Sequence, residues 1–284
     1  ALTATTTYAL VSVATSGTPS CSQNQTGSAV IDVLPLPTAT ISGTVDVCQN
    51  GTQPNITFTG ANGTAPYTFI YTINGGAPQT VTTTVGNSVM VAAATATVGT
   101  FTYDLVSVSS STTPSCSQAQ TGSAIVTVLD LPTATIATTT ATVCFNTAGT
   151  LTFTGTPNAE VTFNDGGANQ TVTLDATGNA SVTTPNLAAD TTYTLVSVMT
   201  TGTPSCSQIL TGSTTIAVTP LPTAAISGTT AICEGNTATI TFSGTPNATV
   251  TYTVDGGANQ TITLDATGAA SITTAALTAT TTYT

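Results

Sequence analysis

The side chains that could carry chemistry in this chain are six cysteines and eleven carboxylates. Lys, Arg and His are all absent from the 284 residues, and the formal net charge is −11. Nucleophilic catalysis by Ser or Cys needs a neighbouring base, which is usually His or Lys. The composition therefore predicts a protein that is not an enzyme.

The carboxylates are scattered along the chain and are not paired. Acid–base hydrolysis needs two facing carboxyl groups, and a calcium loop of the Asp-x-Asp-x-Asp-Gly type does not occur. Asp165, Asp175, Asp255 and Asp265 recur at equivalent turns, where aspartate commonly bonds the turn backbone. We expect no cofactor, with Ca²⁺ at a joint between repeats as the alternative.

The absence of basic residues also limits the partners. A chain that cannot neutralise phosphates is not expected to bind nucleic acid. No apolar run approaches the about 18 residues that a membrane-spanning helix needs, so no direct membrane insertion is expected either. Neighbouring repeats of the same chain, and an external surface or glycan, remain as the predicted partners.

An internal repeat of about 90 residues sets the positions of the cysteines. Thr-Pro-Ser-Cys-Ser-Gln begins at residues 18, 113 and 203, and Leu-Pro-Thr-Ala begins at residues 36, 131 and 221. A repeat of this length has the size of a domain. It predicts four modules: a partial one over 1–36, complete ones over 37–131 and 132–221, and a partial one over 222–284. We expect a segment of a longer polymer.

Each complete repeat contains seven short stretches in which apolar residues alternate with Thr or Ser. In the 132–221 repeat, these predicted strands A to G fall at 133–136 (resuming at 141–144), 150–154, 160–164, 170–175, 180–184, 191–198 and 213–219. Alternation over such lengths is typical of half-buried strands. Seven strands with regular turns predict an all-β fold of tandem immunoglobulin-like seven-stranded β-sandwich modules in a linear array. Tyr193, near the start of strand F, resembles the tyrosine corner of such sandwiches.

Three disulfide patterns are compatible with the repeat, because any pairing must translate along the chain. We favour pairing within modules, as Cys48–Cys116 and Cys144–Cys206, which leaves the partners of Cys21 and Cys233 outside the segment. A second pattern crosses each joint, for example Cys116–Cys144. A third joins the A–B cysteine of one module to the F–G loop of the next, as Cys48–Cys206.

The motif Pro-Leu-Pro-Thr-Ala-Ala-Ile-Ser-Gly-Thr-Thr-Ala-Ile-Cys-Glu-Gly at 220–235, together with Tyr-Thr-Leu-Val-Ser-Val at 193–198, carries a family resemblance. It resembles the repeats of giant Bacteroidota surface proteins, including the SprB-like gliding-motility adhesins exported by type IX secretion. The resemblance covers the whole chain. It implies an Ig-like fold, an extracellular cell-surface location and an adhesive or stalk role, and it carries over no catalytic residue. Asp190-Thr191-Thr192 further resembles a Bacteroidota O-glycosylation pattern, which marks Thr191.

The predicted function is a structural stalk or filament segment of a large secreted cell-surface adhesin. One alternative is a self-assembling extracellular filament whose subunits exchange strands. Another is a glycan-binding module, and its ligand-facing residues would then be Tyr67, Phe69 and Tyr71 in the distinctive segment of the first complete repeat.

Overall fold

The computed structural model describes residues 1–228 and 231–284. All of its regular elements are strands, and this part of the chain contains no helix that is long and apolar enough to cross a membrane. The ranges 1–36, 37–131, 132–221 and 222–284 are called modules. Every strand pair joins two strands of the same range.

The strands follow one another in the same order in each module. Residues 1–36 form β1 (Thr6–Ala9), β2 (Ser12–Ala14), β3 (Ser22–Asn24) and β4 (Ser28–Ile31). Residues 37–131 form β5 (Thr38–Ser42), β6 (Val45–Cys48), β7 (Asn55–Ala61), β8 (Tyr67–Ile73), β9 (Gln79–Thr82), β10 (Ser88–Ala92), β11 (Gly99–Ser110), β12 (Ser117–Ala119) and β13 (Ser123–Leu129). Residues 132–221 form β14 (Ala134–Thr138), β15 (Thr142–Cys144), β16 (Thr150–Gly155), β17 (Glu160–Asn164), β18 (Gln170–Thr173), β19 (Asn179–Thr183), β20 (Thr191–Met199), β21 (Ser207–Ile209) and β22 (Ser213–Thr219). Residues 222–284 form β23 (Ala224–Gly228), β24 (Thr239–Gly244), β25 (Thr249–Tyr252), β26 (Gln260–Thr263) and β27 (Ala269–Thr273).

Each complete module is a sandwich of two sheets, which confirms the tandem immunoglobulin-like fold. In residues 37–131 the strand orders are β10-β7-β5 and β6-β13-β11-β8-β9, with the short β12 paired to β11. In residues 132–221 they are β14-β16-β19 and β15-β22-β20-β17-β18, with β21 paired to β20. The predicted fourth strand therefore lies beside β17 in the larger sheet.

The first strand of each complete module is divided between the two sheets. Its first half, β5 or β14, pairs antiparallel in the smaller sheet. Its second half, β6 or β15, crosses over and pairs in parallel with the last strand of the module. Gly43 lies at the first crossing with φ +123°, and a Cβ there would lie 2.5 Å from the carbonyl oxygen of Asn55, so a larger residue would strain the crossing. The division places the cysteine of the second half beside the end of the module's last strand.

Aromatic side chains bridge the two sheets of each complete module. The ring of Phe58 lies 4.9 Å from that of Tyr71, and the equivalent pair Phe153–Phe163 is 4.8 Å apart between ring centroids. Such tilted contacts add to the stabilisation that burial of the rings provides. Each complete module has its own apolar cluster, with a smaller one in residues 222–284.

The prediction that Tyr67, Phe69 and Tyr71 face a ligand is wrong. Their side chains are 1%, 0% and 6% exposed. Alternation along β8 puts all three on the face that packs against the opposite sheet, while the side chains between them face outward. The hydroxyl of Tyr67 accepts a hydrogen bond from the backbone amide of Gly63 at 3.0 Å. These aromatic residues belong to the core.

Tyr193 is also a core residue, at 2% exposure. Burial raises the pKa of its hydroxyl. Among the described residues this hydroxyl has no hydrogen-bond partner, so the bond that characterises a tyrosine corner is not made here.

Hydroxyl groups pair with each other on the outward faces of the sheets. Thr135 bonds Thr154 at 2.7 Å, and Thr192 bonds Thr215 at 2.8 Å, each between oxygen atoms of neighbouring strands. Cross-strand pairs of this kind contribute about 0.2–1 kcal/mol each. The surface therefore satisfies part of its hydrogen-bonding capacity without charged residues.

Candidate functional site

The joint between the two complete modules contains the most distinctive arrangement of reactive side chains. Cys48 is the last residue of β6 and lies opposite Leu129, the last residue of β13. The next backbone amide, that of Gln49, donates to the carbonyl of Leu129 at 2.8 Å. Because residue 130 then begins the linker to the next module, Cys48 lies at the carboxy-terminal pole of the 37–131 module.

The F–G loop of the 132–221 module, residues 200–206, supplies the other cysteine. The amide of Thr200 donates to the carbonyl of Cys206 at 2.9 Å, and the amide of Cys206 donates to Oγ1 of Thr200, also at 2.9 Å. Ser205 Oγ donates to the carbonyl of Thr200 at 2.8 Å. These bonds close the loop on itself and hold Cys206 at its base.

The directions of the strands bring this loop to the joint. The last residue of β20, Met199, pairs with Glu160 at the start of β17. The start of β17 is at the amino-terminal pole, because β16 ends there beside Ala134. Strand β20 therefore runs back toward this pole, where the linker enters. The F–G loop that follows β20 lies at the same pole. The loop of the second module thus faces the carboxy-terminal pole of the first.

A disulfide bond joins the two poles. Cys48 and Cys206 are bonded, with Cα atoms 5.5 Å apart, although the two residues are 158 positions apart in sequence. This Cα separation lies within the usual range for disulfides. Cys206 is 1% exposed. The two modules are therefore connected twice, by the linker and by the disulfide.

The favoured pairings Cys48–Cys116 and Cys144–Cys206 are wrong. Within one module, the cysteine that ends the divided first strand lies at the carboxy-terminal pole, whereas the F–G loop lies at the amino-terminal pole. The length of the sandwich separates the two sulfur atoms. The structure has the third of the three patterns, and Cys21, Cys116, Cys144 and Cys233 carry free thiols. That Cys21 and Cys233 have partners outside the segment stays a prediction.

The sequence contains a signal for this pairing. The resumption of strand A at 141–144 places its cysteine beside the end of strand G, since both strands run in the same direction. Pairing within modules requires instead a short strand A, whose cysteine stays near the F–G loop of its own module.

Two aspartates at equivalent turns are held by their own backbones. Oδ1 of Asp175 accepts from the amide of Asn179 at 2.9 Å, and from the amide and hydroxyl of Thr177 at 2.8 and 2.7 Å. These hydrogen bonds, that from Asn179 first, hold the pKa of Asp175 below its usual range. The hydroxyl of Thr267 and then the amide of Ala269 lower the pKa of Asp265 in the same way. Both carboxylates therefore stabilise the turns in which they lie.

The other carboxylates do not form a metal site in the described ranges. No three His, Cys, Asp or Glu side chains converge anywhere in residues 1–228 and 231–284. At the joint, Asp130 accepts a hydrogen bond from the amide of Leu131 at 2.9 Å. Asp165 accepts a hydrogen bond from the amide of Gly167 in its own turn, whereas Asp255 accepts one from the amide of Thr282, which follows β27 in sequence.

Thr191 is the first residue of β20 and is half-buried. Its hydroxyl donates to the carbonyl of Ala189 at 2.9 Å. The neighbouring Asp190 accepts from the amide of Val218 at 2.7 Å, which ties this corner to β22. O-glycosylation of Thr191 stays a prediction.

A groove of about 380 Å³ lies beside Cys233 in residues 222–284. In the 132–221 module, β22 covers the equivalent surface by pairing with β15. The groove is an uncovered edge of the core, and its position does not indicate a ligand cavity.

No protein-family model matches the chain, and no curated protein sequence does. Among solved structures, it is similar to a Ca²⁺-stabilised adhesin with which an Antarctic bacterium binds ice, at 19% identity over 96% of this chain and 74% of that one, with a TM-score of 0.47. It is similar to the titin I-band fragment I67–I69 at 16% identity over 87% and 90% of the chains, with a TM-score of 0.46. It is also similar to a 1.5-MDa bacterial ice-binding adhesin at 16% identity over 86% and 88%, with a TM-score of 0.42. At these identities and TM-scores, the likenesses assign no function.

Proposed function

We propose that this chain is a segment of the extracellular stalk of a large cell-surface adhesin. The observation that carries the proposal is the Cys48–Cys206 bond between the carboxy-terminal pole of one sandwich and the amino-terminal pole of the next. A bond in this position resists separation and bending of consecutive modules. Those are the demands on an element that transmits force between a cell and an attached surface.

The extracellular location rests on redox chemistry. Disulfides persist in oxidising surroundings outside the cytosol and are rare within it. The absence of Lys and Arg suits the same setting, because trypsin-like proteases have no cleavage site in the chain. We propose the ranges 37–131 and 132–221 as the modules of the stalk, with 1–36 and 222–284 contributing to two more.

The finer assignment rests on the repeat motifs. Their resemblance to giant Bacteroidota surface proteins supports a role in surface attachment, gliding motility and export by type IX secretion. The stalk then has its neighbouring modules as its main partners, and an external surface or glycan is contacted elsewhere in the adhesin. The role proposed for these residues is structural and not catalytic.

Small-angle X-ray scattering tests the shape that a stalk requires. A compact 284-residue domain has a radius of gyration of about 19 Å. A linear array of sandwiches that advances roughly 40 Å per module gives about 35 Å. A value near the compact one contradicts the stalk.

The denatured mass of the native polypeptide tests the assembly. A single chain of hundreds of kilodaltons, unchanged by reductant, is expected for a tandem-module adhesin. Subunits near the 27.9 kDa of this sequence would instead indicate a strand-exchanging filament. Specific glycan binding by the full chain would favour the binding-module alternative.

A further inference from the structure

The four free cysteines occupy only two kinds of position, and both kinds occur in the disulfide. Cys21 and Cys116 lie at the base of F–G loops, as Cys206 does, whereas Cys144 ends the divided first strand, as Cys48 does, and Cys233 occupies the equivalent place in the sequence repeat. The repeat thus supplies each module with one cysteine of each kind wherever both segments are present.

The free F–G loops have the conformation of the bonded loop. The amide of Ser110 donates to the carbonyl of Cys116 at 3.0 Å, and that of Thr15 donates to the carbonyl of Cys21 at 2.9 Å, as Thr200 does to Cys206. Ser115 and Ser20 bond the start of their loops as Ser205 does, at 2.9 and 3.2 Å. The loop presents its cysteine in the same way with and without a bond.

Cys144 likewise matches Cys48 on the other side of the joint. Cys144 lies opposite Thr219, the last residue of β22, as Cys48 lies opposite Leu129. The following amide, that of Phe145, donates to the carbonyl of Thr219 at 2.9 Å. The side chain of Cys144 is exposed, while that of the bonded Cys48 is half-buried. Cys144 therefore lies exposed at the carboxy-terminal pole of its module.

We propose that Cys48–Cys206 is one member of a repeating set of disulfides, and that Cys144 is the next site, which bonds the F–G loop cysteine of the module following residues 132–221. Cys144 lies between Cys48 and Cys206 in sequence, so the two covalent loops overlap. A single backbone cut within overlapping loops leaves both sides joined by at least one disulfide. The stalk then tolerates proteolytic nicks, a property that goes beyond the force-transmitting role proposed above.

The bond forms by thiol–disulfide exchange with a small-molecule disulfide, such as oxidised glutathione. The Cys144 thiolate attacks one sulfur of the oxidant and releases the first thiolate, which leaves a mixed disulfide. The F–G loop thiolate then attacks the Cys144 sulfur and releases the second. Two protein thiols lose two electrons and two protons in total, and the oxidant is reduced to two thiols.

The test supplies Cys144 with an F–G loop in two ways. In the first variant, a copy of residues 195–221 follows Thr284, because Tyr283 and Thr284 are equivalent in the repeat to Tyr193 and Thr194. In the second, residues 222–284 are replaced by a copy of residues 132–221, a complete module with its own β22. Both are equilibrated with oxidised and reduced glutathione, and Thr211→Arg gives each a single trypsin site, since the chain has no Lys or Arg.

After alkylation of free thiols and trypsin digestion in urea without reductant, the two fragments are expected to stay joined and to separate on reduction. In the original chain, the same Thr211→Arg cut is expected to release residues 212–284 directly. The free-thiol count of the first variant falls from four to three, although one cysteine has been added. Adding Cys144→Ser releases the fragments.

Two results overturn the proposal. One is separation of the fragments of both variants without reductant. The other is a connection across residue 211 that survives Cys144→Ser. Neither result depends on the shape or the native mass of the protein, so failure here is distinct from failure of the stalk assignment.

Discussion

Cys48 and Cys206, 158 residues apart in sequence, have Cα atoms 5.5 Å apart because the end of β6 and the loop after β20 meet at one joint. The bond encloses the linker, most of the first complete module and most of the second. Its mechanical and chemical consequences can be measured directly on the full chain.

A pair of single-arginine variants tests which cysteines are bonded. Thr121 and Thr211 are exposed residues at equivalent positions before the last strand of their modules. After alkylation of free thiols and trypsin digestion in urea without reductant, Thr121→Arg is expected to stay at full mass, because Cys48–Cys206 spans the cut. Thr211→Arg is expected to separate. Mass spectrometry with and without reductant reads the result.

The alternatives give other outcomes. Pairing within modules, as Cys48–Cys116 and Cys144–Cys206, would let both variants separate. The joint-crossing pattern with Cys116–Cys144 and Cys206–Cys233 would keep both together. Either result contradicts the structure.

The disulfide should limit how far the chain extends under force. When the protein is pulled between its two ends, the segment between the bonded cysteines, which are 158 positions apart, cannot extend until the bond is reduced. At about 3.6 Å per residue, reduction adds about 570 Å of contour length. Optical-tweezers measurements before and after reductant determine this increment.

Serine variants provide the control for the force measurement. Cys206→Ser is expected to show the full contour length without reductant, whereas Cys116→Ser keeps the increment, because Cys116 has a free thiol. An increment that disappears in Cys116→Ser would contradict the Cys48–Cys206 assignment.

The aromatic residues of β8 should determine stability. Phe69 is fully buried, so Phe69→Ala is expected to reduce the free energy of unfolding of its module by about 3–5 kcal/mol. The matched control is Thr68→Ala on the outward face, which removes only the hydroxyl pair with Thr82 and costs less than about 1 kcal/mol. Urea unfolding followed by circular dichroism compares them. Equal effects of the two substitutions would place Phe69 outside the core.

The turn aspartates should make stability depend on pH in the acid range. A carboxyl with a lower pKa in the folded state contributes stability above its unfolded pKa of about 3.9, and this stability is lost as the pH falls through the folded value. Both Asp175 and Asp265 are of this kind. NMR titration of the side-chain carboxyl carbons is expected to place both pKa values below the usual aspartate value.

Substitution separates this effect from general acid sensitivity. Asp175→Ala removes the acceptor for the Thr177 and Asn179 hydrogen bonds. It is expected to lower stability at neutral pH and to flatten the acid dependence of the 132–221 module. If the slope between neutral pH and pH 3 is unchanged, the pKa of Asp175 is not what links stability to pH.

The positions of the strands could be predicted from the sequence because their signal is local. Residues 160–164 were predicted as a strand, and β17 spans Glu160–Asn164. The last strand, predicted at 213–219, is β22. Alternation of apolar residues with threonine has the period of the pleat, and Asp175 bonds only residues within its own turn. Such features need no information from distant parts of the chain.

The faces of the strands were harder to predict than their positions. The alternation of Tyr67, Phe69 and Tyr71 shows that the three side chains share one face of the strand. It does not show whether that face packs in the core or binds a ligand, because either kind of face can be aromatic. Phe69 and Tyr71 contact Phe58 on a strand of the opposite sheet, so this face belongs to the core. The sequence therefore determined the strand but not the side of it that the other sheet would cover.

The repeated β-sandwich modules of this chain could be predicted from its sequence alone, because strand alternation, turn residues and the repeat are properties of neighbouring residues. The pairing of the cysteines could not be predicted in this way, because it depends on how the modules fold and meet. That depended on the division of the first strand between two sheets and on the parallel pairing of β6 with β13. Residues far apart in sequence set the sulfur positions, so spacing along the chain could not distinguish Cys116 from Cys206 as the partner of Cys48.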